Sequence, residues 1–255
     1  MVETLISDLS DYGLWIGMIM TNGNYIFHVH TYRCGHAEHV PDEAYIIRAL
    51  QLDASDIWFS DHTPFPGDPF GNRMRYDELP EYIDTLWTLK QQYADRINIH
   101  IGLETEYLPS FDTSGYYKEL MDNTGIEFLL LGQHMAELDE NPVRYTFSMD
   151  KMWLAENEYK TLGDAIVRGI ETGYFNFVAH PDRIFRRCKT WISGMSDVSL
   201  KIIQVARSRD IPLEQNEASM RQKKHFWPEF WMLAKGQTQI IHGLDAHFVN
   251  GLHGI

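Results

Sequence analysis

Short runs of β-branched and aromatic residues recur along the chain, and each ends on a side chain able to bind a metal or a proton. In Tyr25-Ile26-Phe27-His28-Val29-His30, period-two geometry puts His28 and His30 on one face at the end of a buried strand. Ile57-Trp58-Phe59 closes on Ser60-Asp61-His62, and INIHIGLE at 97–104 closes on Glu104, with Glu106 two positions on. Phe128-Leu129-Leu130-Leu131 runs out to His134, and residues 174–178 to His180-Pro181-Asp182. Residues 212–216 carry Glu214 and Asn216, and 239–241 reach Asp245 and His247.

Helical spacing fills the intervals. Ala44, Ile47 and Leu50 mark a helix face after Pro41-Asp42-Glu43, a proline-plus-acid start. Leu79, Ile83, Leu86 and Tyr93 mark a second helix, and Val198, Ile202, Val205 and Ala206 a later one. Further helices are expected at 116–122, 159–172 and 227–235. Two stretches break the rhythm and read as lids or binding segments: 63–76, rich in Pro and Gly, and the acidic, irregular 135–158. Alternating strands and helices imply an α/β fold on a mostly parallel sheet, and seven strands suggest a (β/α)7 barrel over residues 24–255. An open doubly wound sheet is the alternative, but no GxGxxG or GxxxxGK[ST] follows the first strand. Residues 1–23 read as an N-terminal extension. They contain LWIGMIM but no Lys or Arg, which counts against a secretory signal.

Charge and cysteine content narrow the partners. A formal charge of −14 argues against nucleic acid or an anionic membrane at the general surface. No apolar run approaches the roughly 18 residues of a membrane span. Two cysteines, Cys34 and Cys188, make no disulfide framework, so a reducing cytoplasm is expected.

Active sites of parallel barrels form at the C-terminal strand ends. There the chain places His28, His30, His36, His62, Glu104, His134, His180, Asp245 and His247. A lone histidine is more often a satisfied core residue and a lone aspartate more often a cap, but the joint pattern has no such explanation. Nine ligands exceed one tetrahedral site and suffice for two or three. Imidazole with few carboxylates suits Zn, Mn or Fe, and Cys34 could add a soft ligand. Closely spaced metals suit phosphate-ester hydrolysis, since they clamp the attacking and departing oxygens.

The motifs HVH (28–30), RCGH (33–36), SDH (60–62), GLE (102–104), GQH (132–134), AHPD (179–182), LEQN (213–216) and LDAH (244–247) together resemble one family. It is the PHP (polymerase and histidinol phosphatase) metallophosphoesterases, in their histidinol-phosphatase branch. The resemblance implies a distorted seven-stranded TIM-like barrel holding three divalent ions. His28, His30, Glu104 and Asp245 would hold one; His134 and His180 a second, with Glu104 bridging; His36, His62 and His247 the third. Two departures stand out. Leu244 occupies a position where a small residue is usual and would narrow the site, and the short stretch after His247 would leave the barrel less closed. RMRYDELPEYI at 73–83 and GLETEYLP at 102–109 resemble the histidinol-phosphatase branch itself.

The implied reaction is hydrolysis of a small phosphorylated substrate, L-histidinol phosphate above others. Arg33 and Arg183, then Arg73 and Arg75, are the candidates to hold phosphate. Asp61 or Asp182 would protonate the leaving alkoxide. Glu106 is expected either behind the ligands or facing substrate, where with Asp68 and Asp77 it would make an acidic mouth for a cationic substrate. Three readings compete: a nuclease or nucleotide phosphatase of the same superfamily, a non-catalytic metal-binding module, and an amidohydrolase. Loss of a ligand would favour the module, and none of the nine is missing. The amidohydrolase usually has a lysine on the fourth strand, and residues 128–134 contain none.

Overall fold

The computed structural model describes residues 24–138 and 142–254, so the N-terminal extension 1–23 lies outside the described residues. In chain order the elements are β1 (Tyr25–Val29), α1 (Asp42–Gln51), β2 (Asp56–His62), α2 (Leu79–Gln92), β3 (Asn98–Thr105), α3 (Pro109–Thr113), α4 (Tyr116–Asn123) and β4 (Phe128–Leu131). There follow β5 (Glu137–Leu138), β6 (Arg144–Tyr145), α5 (Lys151–Thr172), β7 (Phe177–Val178), α6 (Ser193–Ser208), β8 (Leu213–Asn216), α7 (Glu217–Gln222), α8 (Pro228–Ala234) and β9 (Ile240–Gly243). Strands β1, β2, β3, β4, β7, β8 and β9 lie side by side in that order, all parallel, and β5 and β6 form a separate hairpin.

The seven-stranded sheet curls until its first and last strands meet. Leu244 N donates to Phe27 O at 2.9 Å, Ala246 N to His28 O at 2.9 Å, and His30 N to Ala246 O at 2.9 Å. Leu244 and Ala246, just past β9, thus join the two edge strands by three backbone hydrogen bonds where a less closed barrel was expected, and no terminal helix takes part.

Two cores follow from the closure. The inner one fills the barrel's lower interior with Tyr25, Phe27, Trp58, Phe128, Leu130, Phe177, Ala179 and Ile241. The outer one lies between strands and helices and includes Ile26, Val29, Ile57, Phe59, Leu129, Leu131 and Val178. Strict alternation would put Phe27 and Val29 on the same side, opposite His28. Instead Phe27 faces inward and Val29 outward, because β1 carries one extra residue: Ile26 pairs with Ile57 but Val29 with Phe59. The bulge is centred on His28, whose φ is 68°. It turns both histidines into the barrel directly above the Phe27 ring.

Other expectations shift for identifiable reasons. On α1 the buried face is Tyr45, Ile46 and Ala49 rather than Ala44, Ile47 and Leu50, and Ile47 is 45% exposed. The larger aromatic sets the helix's rotation. The helix expected at 159–172 begins eight residues earlier, capped by Asp150, whose carboxylate accepts from Met152 N and Trp153 N at 2.9 Å. The described residues of the irregular stretch 135–158 thus include the paired strands β5 and β6 and the first two turns of α5. The loop 63–76 has no helix or strand before the 3-10 turn Tyr76–Glu78, yet Phe65 and Met74 are buried, and Phe65 packs among Phe70, Phe111 and Tyr116. It is anchored to the body instead of free to swing.

Gly102 shows how tightly the inner core is filled: a Cβ there would stand 2.3 Å from the Phe128 ring. Gly102→Ala is expected to destabilise by about 1–3 kcal/mol through overpacking. Adding Phe128→Leu should recover part of the loss, as read by denaturant unfolding of the three variants.

Candidate metal centre

Glu104, at the C-terminal end of β3, is 1% exposed, and neither of its carboxylate oxygens has a hydrogen-bond partner. Imidazoles surround it instead. On the Oε2 side stand His62 Nδ1 at 3.0 Å, His28 Nε2 at 3.5 Å and His30 Nε2 at 3.6 Å. On the Oε1 side stand His180 Nε2 at 2.9 Å and His134 Nε2 at 3.6 Å. The carboxylate thus divides the histidines into two sets, the arrangement a bridging ligand needs. Gly132 makes room for it, since a Cβ there would lie 2.0 Å from Glu104 Oε1. Asp245 Oδ1 lies 3.2 Å from His30 Nε2 and 3.9 Å from His28 Nε2. His36, His62 and His247 gather at the rim, with ring centroids of His36 5.3 Å from His62 and 4.6 Å from His247.

The donor set fits divalent cations. His28 Nε2, His30 Nε2, His180 Nε2 and His247 Nε2 are buried without hydrogen-bond partners, as are both oxygens of Glu104. Orphaned buried polar atoms are costly, and here they converge. The groups able to reach one ion are His28–His30–Asp245, His28–Glu104–His180, His30–His62–Glu104 and His36–His62–His247. Cys34, fully buried, makes a further group with His30 and His247.

Behind the candidate ligands stands a layer of carboxylates. Glu214 Oε1 is 2.8 Å from His28 Nδ1, and its Oε2 accepts from His180 N at 3.1 Å. Glu106 Oε1 is 3.2 Å from His134 Nδ1. Asp61 Oδ1 is 3.6 Å from His30 Nδ1, and its other oxygen takes the Thr31 hydroxyl. Glu214 and Glu106 each hold the ring of one histidine and leave its Nε2 facing the centre, the usual support for metal-binding imidazoles, and Asp61 lies beside a third. Glu214 was only an alternative to Asn216 in the sequence. The structure gives the two distinct work: Asn216 caps α7 by accepting from Ser219 N at 2.8 Å. A sequence signal for Glu214 exists in Gly243, where a Cβ would lie 1.8 Å from its Oε1.

Electrostatics follow from this crowding. Burial works to raise the Glu104 carboxyl, but His134, His28 and His62 outweigh it and hold it well below the usual range. Burial opposes protonation of His30, yet the carboxylates of Asp245 and Asp61 beside it raise it to about 9. His134 and His247, with burial dominant, are lowered to about 4 and about 3.

Several expected roles change. Arg33 faces away from the centre. Its guanidinium clamps Asp42 at 2.8 Å and Glu81 at 2.8 Å, tying the loop after β1 to α1 and α2, so it is unavailable to phosphate. Arg75 is on the surface with Asp77. Arg73 is paired with Glu106 at 3.1 Å and donates to Thr63 O at 3.0 Å. Glu106, 1% exposed between Arg73 and His134, therefore stands behind a ligand and does not face substrate. Of the other two acids expected at a mouth, Asp68 accepts from Tyr76 N and Asp77 is paired with Arg75. Asp61 stands behind His30 and is not placed to protonate a leaving group. Leu244 packs in the outer core and does not narrow the centre. Arg183 does reach the centre, its Nη1 3.2 Å from Asp245 Oδ2, with its side chain 34% exposed. Asp182 is 1% exposed; Oδ2 accepts from Trp227 N and Trp231 Nε1 while Oδ1 is unpartnered, and burial pushes it up to about 6.

Comparison with known proteins gives consistent results. The family model described as PHP domain matches residues 27–218. A probable histidinol-phosphatase of Deinococcus radiodurans is 30% identical over 167 residues, covering 61% of this chain but only 59% of that protein. The histidinol-phosphatase of Bacillus subtilis is 25% identical over 254 residues, covering 86% and 92%. Among solved structures, HisK from Listeria monocytogenes superposes with a TM-score of 0.70 at 17% identity, covering 89% of this chain and 97% of that one. Histidinol phosphate phosphatase from Lactococcus lactis, complexed with zinc, L-histidinol and phosphate, gives 0.67 at 18% identity, covering 89% and 87%.

Two outcomes are expected. Glu214→Gln should weaken metal binding about 10–100-fold by freeing His28, as read by metal titration with the fold checked by circular dichroism. Ligation requires neutral imidazole, whereas His28 and His30 are both raised in the free protein. Metal binding at pH 7 should therefore release protons, and affinity should climb with pH until about 9 is passed. Calorimetry in buffers of different ionisation enthalpy measures the release; none would mean that both rings are neutral before binding.

Proposed function

The chain belongs to the PHP domain family, and on that premise we propose that it is a metal-dependent phosphomonoester hydrolase converting L-histidinol phosphate and water to L-histidinol and phosphate. The observation that carries the metal dependence is Glu104, a buried carboxylate with both oxygens unpartnered and five imidazoles within 3.6 Å. The substrate rests on two relatives named as histidinol-phosphatases and on a fold shared with the zinc-, histidinol- and phosphate-bound enzyme of Lactococcus lactis.

In this reading His28, His30 and Asp245 would hold one ion, His134 and His180 a second, and His36, His62 and His247 a third, with Glu104 available to the first two. Zn, Mn and Fe all suit that donor set. When bound, the ions supply an activated water and neutralise charge on the phosphoryl oxygens. The chain's residues do the rest. Glu104 fixes the spacing, while Glu106 and Glu214 hold two rings in place and Asp61 lies beside a third. Arg183, at the rim beside Asp245, would donate to phosphoryl oxygens of the bound ester. Asp182, with its carboxyl raised by burial, is the candidate to hold the proton for the departing alkoxide. Among the described residues no helix is long and apolar enough to cross a membrane.

Elemental analysis of protein purified without chelator, or reconstituted, should give about three divalent ions per chain. One ion or none after reconstitution overturns the trinuclear arrangement. Glu104→Gln should abolish turnover and lower metal occupancy while sparing the fold; Glu106→Gln should cost much less. Steady-state kcat/KM should be higher for histidinol phosphate than for nucleotides or sugar phosphates, and faster turnover of nucleotides would remove the histidinol assignment while leaving the reaction class.

A further inference from the structure

A cleft of about 480 Å³ opens beside the rim histidines His36 and His247. Arg183, Arg221, Lys224 and His225 line it, and Asp245, already engaged by Arg183, is the one acid among its lining residues. In a chain of formal charge −14 this is a local reversal of sign. Arg221 and Lys224 are exposed, and neither has an ion-pair partner among the described residues.

Basic residues after a helix are often no more than favourable partners of the helix dipole. That account covers Arg221 in the last turn of α7, a helix of only six residues. It does not cover Lys224 and His225, which lie beyond the cap. There the backbone turns sharply, with φ of 51° at Lys223 and 61° at His225, and both Lys224 and His225 reach the cleft that Arg183 shares with the centre. Burial lowers His225, and Arg183, Lys224 and Arg186 lower it further, which reflects how closely the cations are grouped. A cleft lined by one sign of charge focuses the field and raises the local concentration of the opposite ion.

We propose that this cleft is an anion-docking site, in which Arg221, Lys224 and His225 capture the phosphate group of an incoming ester and hand it to Arg183 and the metal centre. This deepens the phosphomonoesterase reading and rests on it. The ligand chemistry is a dianionic phosphate, recognised by charge and not by the group it esterifies.

The test compares wild type with Arg221→Gln/Lys224→Gln, using metal-loaded protein. Both side chains are exposed, so the fold should survive, and Lys201→Gln on the exposed face of α6 is the control. Two probes are used: p-nitrophenyl phosphate kinetics from low to high ionic strength, and calorimetric binding of inorganic phosphate. At low salt the double variant should lose at least about fivefold in kcat/KM, with kcat within about twofold and a flattened salt dependence. Phosphate should bind it correspondingly more weakly, and Lys201→Gln should behave as wild type. Unchanged kcat/KM, salt dependence and phosphate affinity would overturn the proposal. So would an equal loss in Lys201→Gln, which would show only an effect of net charge. If no ester is hydrolysed, the phosphomonoesterase reading fails, and phosphate affinity still decides whether the cleft binds anions.

Discussion

A buried carboxylate with no hydrogen-bond donor is the constraint on which the site depends. Desolvating the charge of Glu104 is costly unless positive charge or a metal compensates for it. The structure offers five imidazoles on two sides, so the local energetics favour cations between carboxylate and rings. The barrel is shaped to permit this. Gly132 leaves space for Glu104 and Gly243 for Glu214, and below them the aromatic floor of Phe27, Trp58, Phe128 and Phe177 excludes water. A methyl group at either glycine would displace a carboxylate, so small residues on one strand are dictated by acids on its neighbour.

Around that constraint the charges are layered. Histidines face the centre; Asp61, Glu106 and Glu214 stand behind three of them; Arg73 stands behind Glu106. Part of the chain's large negative charge is therefore structural, placed where bound cations would offset it. The outermost layer reverses sign again at Arg183, Arg221 and Lys224. Bulk charge thus says little about the mouth: Glu106, one of the acids expected there, is enclosed behind His134, and the cleft beside the rim is basic.

The architecture and the candidate ligands were legible because both rest on local patterns. Each strand is a short apolar run, and each candidate ligand lies at the end of its strand or in the loop that follows. What was not legible depends on partners far apart in sequence. Arg33 lies inside a ligand motif, yet Asp42 and Glu81 on two helices claim it. Glu106 sits two residues from Glu104, and only the placement of Arg73 and His134 shows that it is enclosed. The single extra residue in β1 leaves no mark in the apolar pattern, yet it decides which way Phe27, His28 and Val29 point.

That bulge also links folding to chemistry. His28, His180 and Asp245 have φ of 68°, 29° and 50°, conformations that cost non-glycine residues of order 1–3 kcal/mol each and persist only where the surroundings over-determine them. For two of the three the surroundings are the barrel seam. Ala246 N donates to His28 O and His30 N to Ala246 O, while Leu244 N, on the other side of Asp245, donates to Phe27 O. The hydrogen bonds that close the barrel are thus the ones that hold His28 and Asp245 in their unfavourable backbone geometry, with their side chains turned toward a common point. A sheet left open between β1 and β9 would release both residues to ordinary backbone angles and disperse one candidate ion site. Closure of the fold and assembly of that site are therefore coupled, which accounts for two of the three strained residues standing at the seam.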